Sequence, residues 1–383
     1  MAKLYDLSKP LVSLDHDTTL VCVIEMSGTS WLVAATVPGV DRRPLQKLPV
    51  NPHRLLDQLE RWRKEAARAG RAITRTVVAY ESGRDGFWLA RLLQNHGIEV
   101  YVIHASSVAV SREQRRAKTD RLDTEMLMRA LLGWLRGEPG HCRMVAIPTV
   151  VQEDARRPGR EREELVTERT RVTNTIKAEL ALWGIRGFKP GLKKATEHLE
   201  ALRTVEGEPL PPNTLAKLHR LLKRRRLISD QITAIEQSAV QAVERDPTGP
   251  NALVLLLAQI KGLETAQMLV HEVLSRNLRD RRAVARYAGL TGTPDESGSK
   301  RREKGISKAG NPRVRRGLIQ LAWRFLLFQP DAALVRWYRE RTAGGTGAIR
   351  KTMIVALARK LLIALWSYAS ARVMPEGVVL KEA

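Results

Sequence analysis

The sequence has few of the residues that build disulfide frameworks, zinc sites or membrane spans. Its two cysteines, Cys22 and Cys142, do not form a Cys-x-x-Cys spacing, so we expect both to be buried as small hydrophobic residues. No apolar run reaches the roughly 18 residues that a membrane span needs, because the best candidate, 353–366, contains Arg359 and Lys360. The first 13 residues carry scattered charge and no long apolar core, which is unlike a signal peptide. We therefore expect a cytoplasmic protein that does not bind membranes.

Aromatic residues are also scarce, at 5%, whereas hydrophobic residues make up 43% of the chain. This profile is typical of a soluble protein with many Leu-, Ala- and Val-rich helices. The length of 383 residues predicts two or three domains, since single domains usually have about 100 to 200 residues.

Positive charge is what the chain has in excess. Its 65 Lys and Arg residues outnumber 41 Asp and Glu residues, which gives a formal net charge of +24. Such a charge repels itself unless a polyanion neutralises it. Nucleic acid is therefore the expected partner, in preference to an anionic membrane surface.

The first 149 residues alternate between strand-like and helix-like patterns. Short apolar runs predict strands at 11–15, 20–24 and 31–37. Further on, helices are predicted at 52–67 and 86–95, and strands at 76–80 and 98–103. A meander followed by alternating helices and strands predicts an α/β domain with a mixed sheet, as in the ribonuclease H-like fold.

Strand patterns nearly vanish after residue 149. Heptad-like apolar spacings predict two long helices in region 150–246, paired as a coiled coil either within one chain or between chains. The clearest linker is 246–250, and the region 251–383 is again mainly helical, with a Gly-rich, charged interruption at 289–312. The predicted domains are therefore 1–149, 150–246 and 251–383.

Acidic residues of the first domain are spaced so that a sheet can bring them together. Asp15 is predicted to end the first strand, Glu81 follows the strand 76–80, and Asp120 and Asp123 lie one helical turn apart. Carboxylates bind hard divalent cations such as Mg²⁺ or Mn²⁺, and a metal pair about 3.5–4 Å apart can clamp both oxygens of a phosphodiester exchange. The four acids therefore predict a metal site that acts on nucleic acid.

Other interpretations of these acids stay open. Asp17 points to the same face as Asp15 in a continuing strand and competes with it for the first position. Asp120 is predicted near a helix start, where acids are favoured on electrostatic grounds alone. Glu81 precedes Ser82 and Gly83 and is compatible with a simple turn.

With these residues placed, the chain resembles the DEDD-type insertion-sequence transposases, a family described as bridge-RNA-guided recombinases. The first domain contributes Ser13-Leu-Asp15, Tyr80-Glu-Ser-Gly83 and Lys118-Thr-Asp-Arg-Leu-Asp123 to the resemblance. The last domain contributes Tyr287-Ala-Gly-Leu290, Ser297-Gly298, Gly305-Ile-Ser-Lys-Ala-Gly-Asn311 and Ala358-Arg-Lys-Leu-Leu362 with Trp366. Three positions depart from the family's pattern. The stretch Ser13-Leu-Asp-His-Asp-Thr18 stands where the family often has Gly-Ile-Asp-Val-Ser-Lys, Glu264 stands where the family's turn has a glycine, and Glu296 lies beside Ser297.

The resemblance implies a RuvC-like (ribonuclease H-like) amino-terminal domain, a coiled coil and a mainly α-helical transposase domain. It implies that Asp15, Glu81, Asp120 and Asp123 bind Mg²⁺ or Mn²⁺, and that Ser297 attacks DNA to form a covalent 5′-phosphoserine link. The implied partners are donor and target DNA and a noncoding guide RNA. A homodimer or homotetramer is expected from the coiled-coil pattern and because strand exchange needs several DNA ends. The implied location is the bacterial cytoplasm, near the nucleoid.

A basic stretch follows Ser297. Eight basic residues are candidates for holding a phosphodiester, against the single acid Glu303. They are Lys300, Arg301, Arg302, Lys304, Lys308, Arg313, Arg315 and Arg316. No His lies near Ser297 in sequence, so we expect activation of its hydroxyl by the carboxylate-bound metal.

Three functions are compatible with the sequence. The first is an RNA-guided recombinase that uses both the acids and Ser297, neither of which suffices alone. The second is a RuvC-like metal-dependent nuclease without a covalent step. The third is a nucleic-acid-binding protein without catalysis.

Overall fold

The structure is a computed structural model that describes most of the chain. It covers residues 10, 12–83, 86–108, 120–138, 140–246, 263–276, 278–297, 300–371 and 373–379, with the backbone alone at 106, 263–264, 294–297 and 300–304. Two compact units are present, Met1–Thr149 and Val150–Ala383. The helices of the predicted second and third domains therefore lie in one unit.

The first unit contains a six-stranded mixed sheet with helices on both faces. Its elements are β1 (Thr19–Met26), β2 (Ser30–Thr36), β3 (Leu45–Pro49), α1 (Pro52–Arg68), β4 (Arg75–Glu81), α2 (Trp88–Asn95), β5 (Glu99–Ile103), α3 (Asp120–Leu135) and β6 (Met144–Val145). The strand order is β3-β2-β1-β4-β5-β6. Pairing is parallel for β1 with β4 and for β4 with β5, and antiparallel elsewhere. The predicted mixed α/β domain is confirmed.

The start of the sheet differs from the prediction. Residues 12–15 are not in a strand, and the first strand begins only at Thr19, so the prediction that Asp15 ends a strand is wrong. The meander has the third strand at Leu45–Pro49, which the sequence did not reveal because only one of its five residues is buried. A strand with so little apolar surface gives no clear alternation.

Helix α1 begins where the sequence predicts it. Pro52 occupies the first turn, where its missing N–H costs nothing. The Asn51 side chain accepts hydrogen bonds from the backbone N–H groups of His53 and Arg54, at 2.9 and 3.4 Å. These contacts satisfy two of the donors that a helix start leaves open.

Strands β1 and β4 alternate between two hydrophobic layers. Even-numbered residues such as Cys22 and Tyr80 pack in a cluster with α1 and α2, whereas odd-numbered residues such as Val23 and Ala79 pack in a cluster with α3. Both cysteines are free and buried, as predicted, and burial raises the pKa of the Cys142 thiol to about 11. The direction of every side chain on these strands is thereby fixed.

Helix α3 runs in the direction opposite to β1 on one face of the sheet. The backbone N–H of Leu14 donates to the carbonyl of Leu135 at 3.2 Å, which places the end of α3 beside the start of β1. The 16 residues of α3 span roughly 24 Å at 1.5 Å per residue, close to the length of β1. The first turn of α3, with Asp120 and Asp123, therefore lies toward the carboxyl ends of β1 and β4.

The second unit is mainly helical. Its elements are α4 (Val150–Asp154), α5 (Arg157–Ala181), α6 (Ala195–Glu200), α7 (Pro212–Arg245), α8 (Leu263–Met268), a π-helical turn (Leu269–Leu274), α9 (Arg281–Tyr287), β7 (Gly292–Ser297), β8 (Lys300–Ile306), α10 (Pro312–Phe328), α11 (Ala333–Thr342) and α12 (Gly347–Ala371). Helices α5 and α7 pack antiparallel within the chain around Ile176, Leu218 and Ile228. They confirm the two long helices, and a coiled coil stays a prediction.

Helix α12 is long and apolar enough to cross a membrane by length and composition, with a mean hydropathy of 1.4 in its most apolar window. In the structure it lies in the core of the second unit, where Leu357, Leu361 and Leu365 are buried against α10 and α11. It also carries Arg359 and Lys360. A core helix explains its composition.

We predict that Leu131→Ala lowers the free energy of unfolding by about 2–5 kcal/mol, because Leu131 is fully buried between α3 and the sheet. Urea denaturation of the full chain, followed by circular dichroism, measures the loss. The control Val12→Ala removes a side chain that is 62% exposed and should change stability by less than about 0.5 kcal/mol. Equal losses would contradict the placement of α3.

Candidate active site

Two glutamates stand side by side at the carboxyl ends of the central parallel strands. Ile24 of β1 is in register with Tyr80 of β4, so Glu25 and Glu81 follow on adjacent strands about 4.8 Å apart in backbone. Both are odd-numbered and thus lie on the α3 face, beyond Val23 and Ala79. Glu25 is half-buried and Glu81 is exposed.

Helix α3 brings two further carboxylates toward the same end of the sheet. Asp120 and Asp123 both lie in its first turn, three residues apart on one face, where acids interact favourably with the positive end of the helix dipole. Thr124 beside them is buried and donates to the carbonyls of Asp120 and Arg121, at 3.0 and 2.8 Å. Glu25, Glu81, Asp120 and Asp123, named the sheet-end acids, therefore share one edge and one face.

Asp15 lies at the opposite end of the sheet from Glu81. It precedes Thr19, which is in register with Arg75 at the start of β4. Glu25 follows Thr19 by six positions along β1, or roughly 20 Å. The Asp15 carboxylate accepts hydrogen bonds from the backbone N–H of Asp17 at 2.9 Å and the Thr18 hydroxyl at 2.8 Å, which lower its pKa. The structure does not bring Asp15 together with the other acids, and the local turn explains its carboxylate.

Asp17, the competitor for this position, does not lie at the site either. It forms an ion pair with Arg71 at 3.2 Å, in which both side chains are largely exposed. Sequence reasoning missed Glu25, although a signal was present. An apolar run that ends in a glutamate occurs at Leu20–Glu25 just as it does at Thr76–Glu81.

The donor set suits a hard divalent cation, because all four candidates are carboxylates from three adjacent elements. Among the described residues, no three His, Cys, Asp or Glu side chains are close enough to hold a metal ion as they stand. The sheet-end acids thus suit Mg²⁺ or Mn²⁺ in chemistry, and metal binding requires a closer approach of their side chains.

Ser297 lies in a β-hairpin, within the Gly-rich, charged stretch 289–312 that interrupts the helices. Strand β7 ends at Ser297, whose Cα is in register with that of Lys300 at the start of β8. The structure describes only the backbone there, and Gly298 lies outside the described residues. The side chains of Ser297, Lys300, Arg301, Arg302 and Lys304 likewise lie outside the described part of the chain.

The arginines in the rest of the basic stretch form contacts within the second unit. Arg313 pairs with Glu163 at 3.1 Å, and Arg316 pairs with the same carboxylate. Arg315 donates to the carbonyl of Lys308 at 3.0 Å, and Lys308 has a left-handed backbone with φ of 55°. Arg313 and Arg316 therefore hold α10 against α5 in addition to any contact with nucleic acid.

A buried carboxylate organises the start of α10. Glu272, in the π-helical turn, accepts two hydrogen bonds from Arg160 at 3.0 and 3.3 Å and one from the Asn311 amide at 3.3 Å. Its side chain is 2% exposed, and Arg313 lies 3.6 Å from it. Burial raises the pKa of Glu272, but the hydrogen bond from Arg160 and the charges of Arg160, Arg156 and Arg313 outweigh burial and lower the pKa overall.

The mixed sheet is consistent with a ribonuclease H-like fold. A DEDD-type IS110 transposase domain matches residues 45–183, and the family described as "Transposase IS116/IS110/IS902 family" matches residues 255–335. Glu81, Asp120 and Asp123 lie in the first match, Ser297 lies in the second, and both Asp15 and Glu25 lie outside them.

Two relatives are similar over most of their length. A protein of Sinorhizobium fredii (strain NBRC 101917 / NGR234) that carries the transposase name y4rJ is 42% identical over 372 residues, which is 94% of this chain and 93% of the relative. The transposase for insertion sequence element IS1328 of Yersinia enterocolitica is 27% identical over 294 residues, or 76% of this chain and 82% of the relative. The chain belongs to the IS116/IS110/IS902 family of transposases and is an enzyme that cuts and rejoins DNA.

We predict that Glu272→Gln destabilises the second unit by about 1–3 kcal/mol at pH 7, because Arg160 loses a charged partner and buried groups are left poorly paired. A carboxylate with a lowered folded pKa contributes stability above its unfolded pKa and loses it as pH falls through the folded value. The difference between the parent and variant should therefore stay constant from pH 7 to about pH 5 and shrink between about pH 4.3, the ordinary pKa of Glu, and about pH 3.

Urea denaturation at each pH measures this difference. Glu376→Gln is the control, because Glu376 pairs with Arg336 on an exposed surface, where its side chain is 80% exposed. A Glu272→Gln difference that is as large at about pH 3 as at pH 7 would contradict the assignment.

Proposed function

We propose that the first unit cleaves DNA strands for transposition with a divalent metal held by Glu25, Glu81, Asp120 and Asp123. The observation that carries this proposal is the parallel register of β1 and β4, which puts Glu25 and Glu81 on adjacent strands facing α3. The family membership supports a DNA-cutting role.

Two of the proposed metal ligands come from strands and two come from a helix. Glu25 and Glu81 extend from rigid central strands, and Asp120 and Asp123 extend from the first turn of a helix that is packed along its length. When bound, Mg²⁺ or Mn²⁺ supplies positive charge to the attacking and leaving oxygens of a phosphodiester. Glu25, which takes the position that the sequence analysis gave to Asp15, has a side chain one methylene longer than that of an aspartate.

We predict that Glu25→Gln and Glu81→Gln each lower DNA cleavage by at least about 100-fold, since even outer partners of metal ligands cost about 10–100-fold. Asp15→Asn, the matched control, should stay within about threefold of the parent. Cleavage of a labelled DNA that carries one end of the insertion sequence is measured across a Mg²⁺ titration. DNA binding is followed separately by gel shift.

The titration separates metal binding from a loss of folding. Glu25→Asp should keep part of the activity and shift the Mg²⁺ concentration that gives half of the maximal rate. Loss of cleavage in Asp15→Asn together with full activity in Glu25→Gln would instead assign the first position to Asp15.

We further propose that Ser297 forms the covalent link to DNA. The hairpin supports this role, because Ser297 lies at the end of β7 opposite Lys300, and its second strand carries Arg301, Arg302 and Lys304. In this step the Oγ–P bond forms as the P–O3′ bond breaks, and the serine proton is balanced on the released 3′ hydroxyl. The nuclease without a covalent step is the competing candidate, and it needs the sheet-end acids only.

The resemblance supports the remaining partners. We propose donor and target DNA as substrates, a noncoding guide RNA that selects them, and a homodimer or homotetramer that holds several DNA ends. The cytoplasmic location of the chain also stays a prediction.

We predict that Ser297→Ala abolishes a protein–DNA adduct that survives denaturation, while Ser307→Ala retains it. Ser307 is a suitable control because it directly follows β8 of the same hairpin, and its hydroxyl lies 3.3 Å from that of Thr291. The adduct is detected on a denaturing gel after incubation with Mg²⁺, labelled DNA and the RNA transcribed beside the element. Full cleavage by Ser297→Ala without any adduct in the parent would establish the nuclease mechanism.

A further inference from the structure

We infer that one face of the α5–α7 helical pair is a second binding surface for the phosphodiester backbone of nucleic acid. This surface, named the hairpin basic face, consists of Arg169 on α5, Lys193 in the connecting segment, and Arg225 and Arg226 on α7. It goes beyond the function proposed above, because it requires neither the sheet-end acids nor Ser297.

Neutral oxygen atoms orient the guanidinium groups of this face. Arg225 Nε donates to the hydroxyl of Thr173 at 3.1 Å, and Arg226 Nη2 donates to the carbonyl of Lys193 at 3.4 Å. Gly191 allows the close approach of Arg225, since a Cβ at that position would lie 3.0 Å from Arg225 Nη2. The arginines are therefore held in place while their charge is not neutralised.

Positive charges accumulate on the hairpin basic face without compensation. Partial burial, and then the charge of Arg169, lowers the pKa of Arg225. In the part of the chain that the structure describes, Arg169, Lys193, Arg225 and Arg226 form no ion pair with a carboxylate within 4.0 Å. Like charges held together this way favour the binding of an anion.

The other face of the same helical pair is neutralised. Lys217 and Arg224, seven residues apart on one side of α7, pair with Glu179 and Glu168 of α5. Glutamates of α5 therefore pair with the basic residues of α7 on this side, whereas no such pairs are present on the hairpin basic face in the described part of the chain. This contrast argues against a merely solvated basic surface.

A phosphodiester backbone matches the exposed groups. Guanidinium forks bind phosphate oxygens through paired hydrogen bonds, and a lysine adds a mobile charge beside them. Both single-stranded RNA and duplex DNA present this chemistry, and the chain is a transposase that acts on DNA.

The test is binding of the full-length protein to a labelled 30-nucleotide RNA and to a 30-base-pair DNA duplex, measured by fluorescence anisotropy at several salt concentrations. EDTA is present throughout, so the result does not depend on metal-assisted cleavage. The variant is Arg226→Gln with Lys193→Gln, both exposed side chains. The matched control is Arg224→Gln with Lys217→Gln, which removes the same charge from the neutralised face.

We expect the Arg226/Lys193 variant to bind at least one of the two nucleic acids about tenfold more weakly at 0.1 M salt. The slope of log Kd against log salt should fall by about 1.4 for RNA or 1.8 for duplex DNA, as two phosphate contacts are lost. The Arg224/Lys217 control should stay within about twofold of the parent.

The two arms identify the ligand. A loss on RNA alone assigns the face to RNA, a loss on the duplex alone assigns it to DNA, and a loss on both assigns it to the shared backbone. Parental binding of both nucleic acids by the Arg226/Lys193 variant, or an equal loss in the control pair, would overturn the proposal. Circular dichroism melting confirms that both variants are folded.

Discussion

The parallel pairing of β1 with β4 is the constraint on which the candidate active site depends. Its register brings Ile24 opposite Tyr80, and the alternation of side chains then turns Glu25 and Glu81 to one face. A slip of one residue would send one carboxylate into the apolar cluster with α1 and α2. The buried residues on both faces of these strands therefore fix the position of the acids as well as the stability of the sheet.

Much of this arrangement could be predicted from the sequence, but the pairing of the strands, and therefore the residues that share one end of the sheet, could not. Glu81 was identified because it follows a clear apolar run, and Asp120 and Asp123 because they lie one turn apart. Glu25 follows an equally clear run, yet Asp15 was preferred, since periodicity shows that a strand exists and not where it pairs. The hydrogen bond between Leu14 and Leu135, which are far apart in sequence, shows that the segment with Asp15 lies beside the end of α3 and not beside its first turn.

The second unit shows why charge alone is a poor guide to binding. Its arginines look alike in the sequence, but Arg313 and Arg316 share Glu163, Arg160 lies on Glu272, and Arg225 rests on a threonine hydroxyl. The β7–β8 hairpin was equally hidden, because charged strands lack apolar alternation. Three-dimensional pairing separates the arginines that hold helices together from those that keep their charge for a ligand.

The order of the elements along the chain also affects how the protein can be made. All six strands of the sheet come from the first 145 residues, and the helix that covers the acid-bearing face ends at Leu135. The sheet can therefore close while the later helices are still on the ribosome, since domains generally fold as units during synthesis. A nascent transposase would then complete its carboxylate-bearing unit before its serine-bearing unit exists.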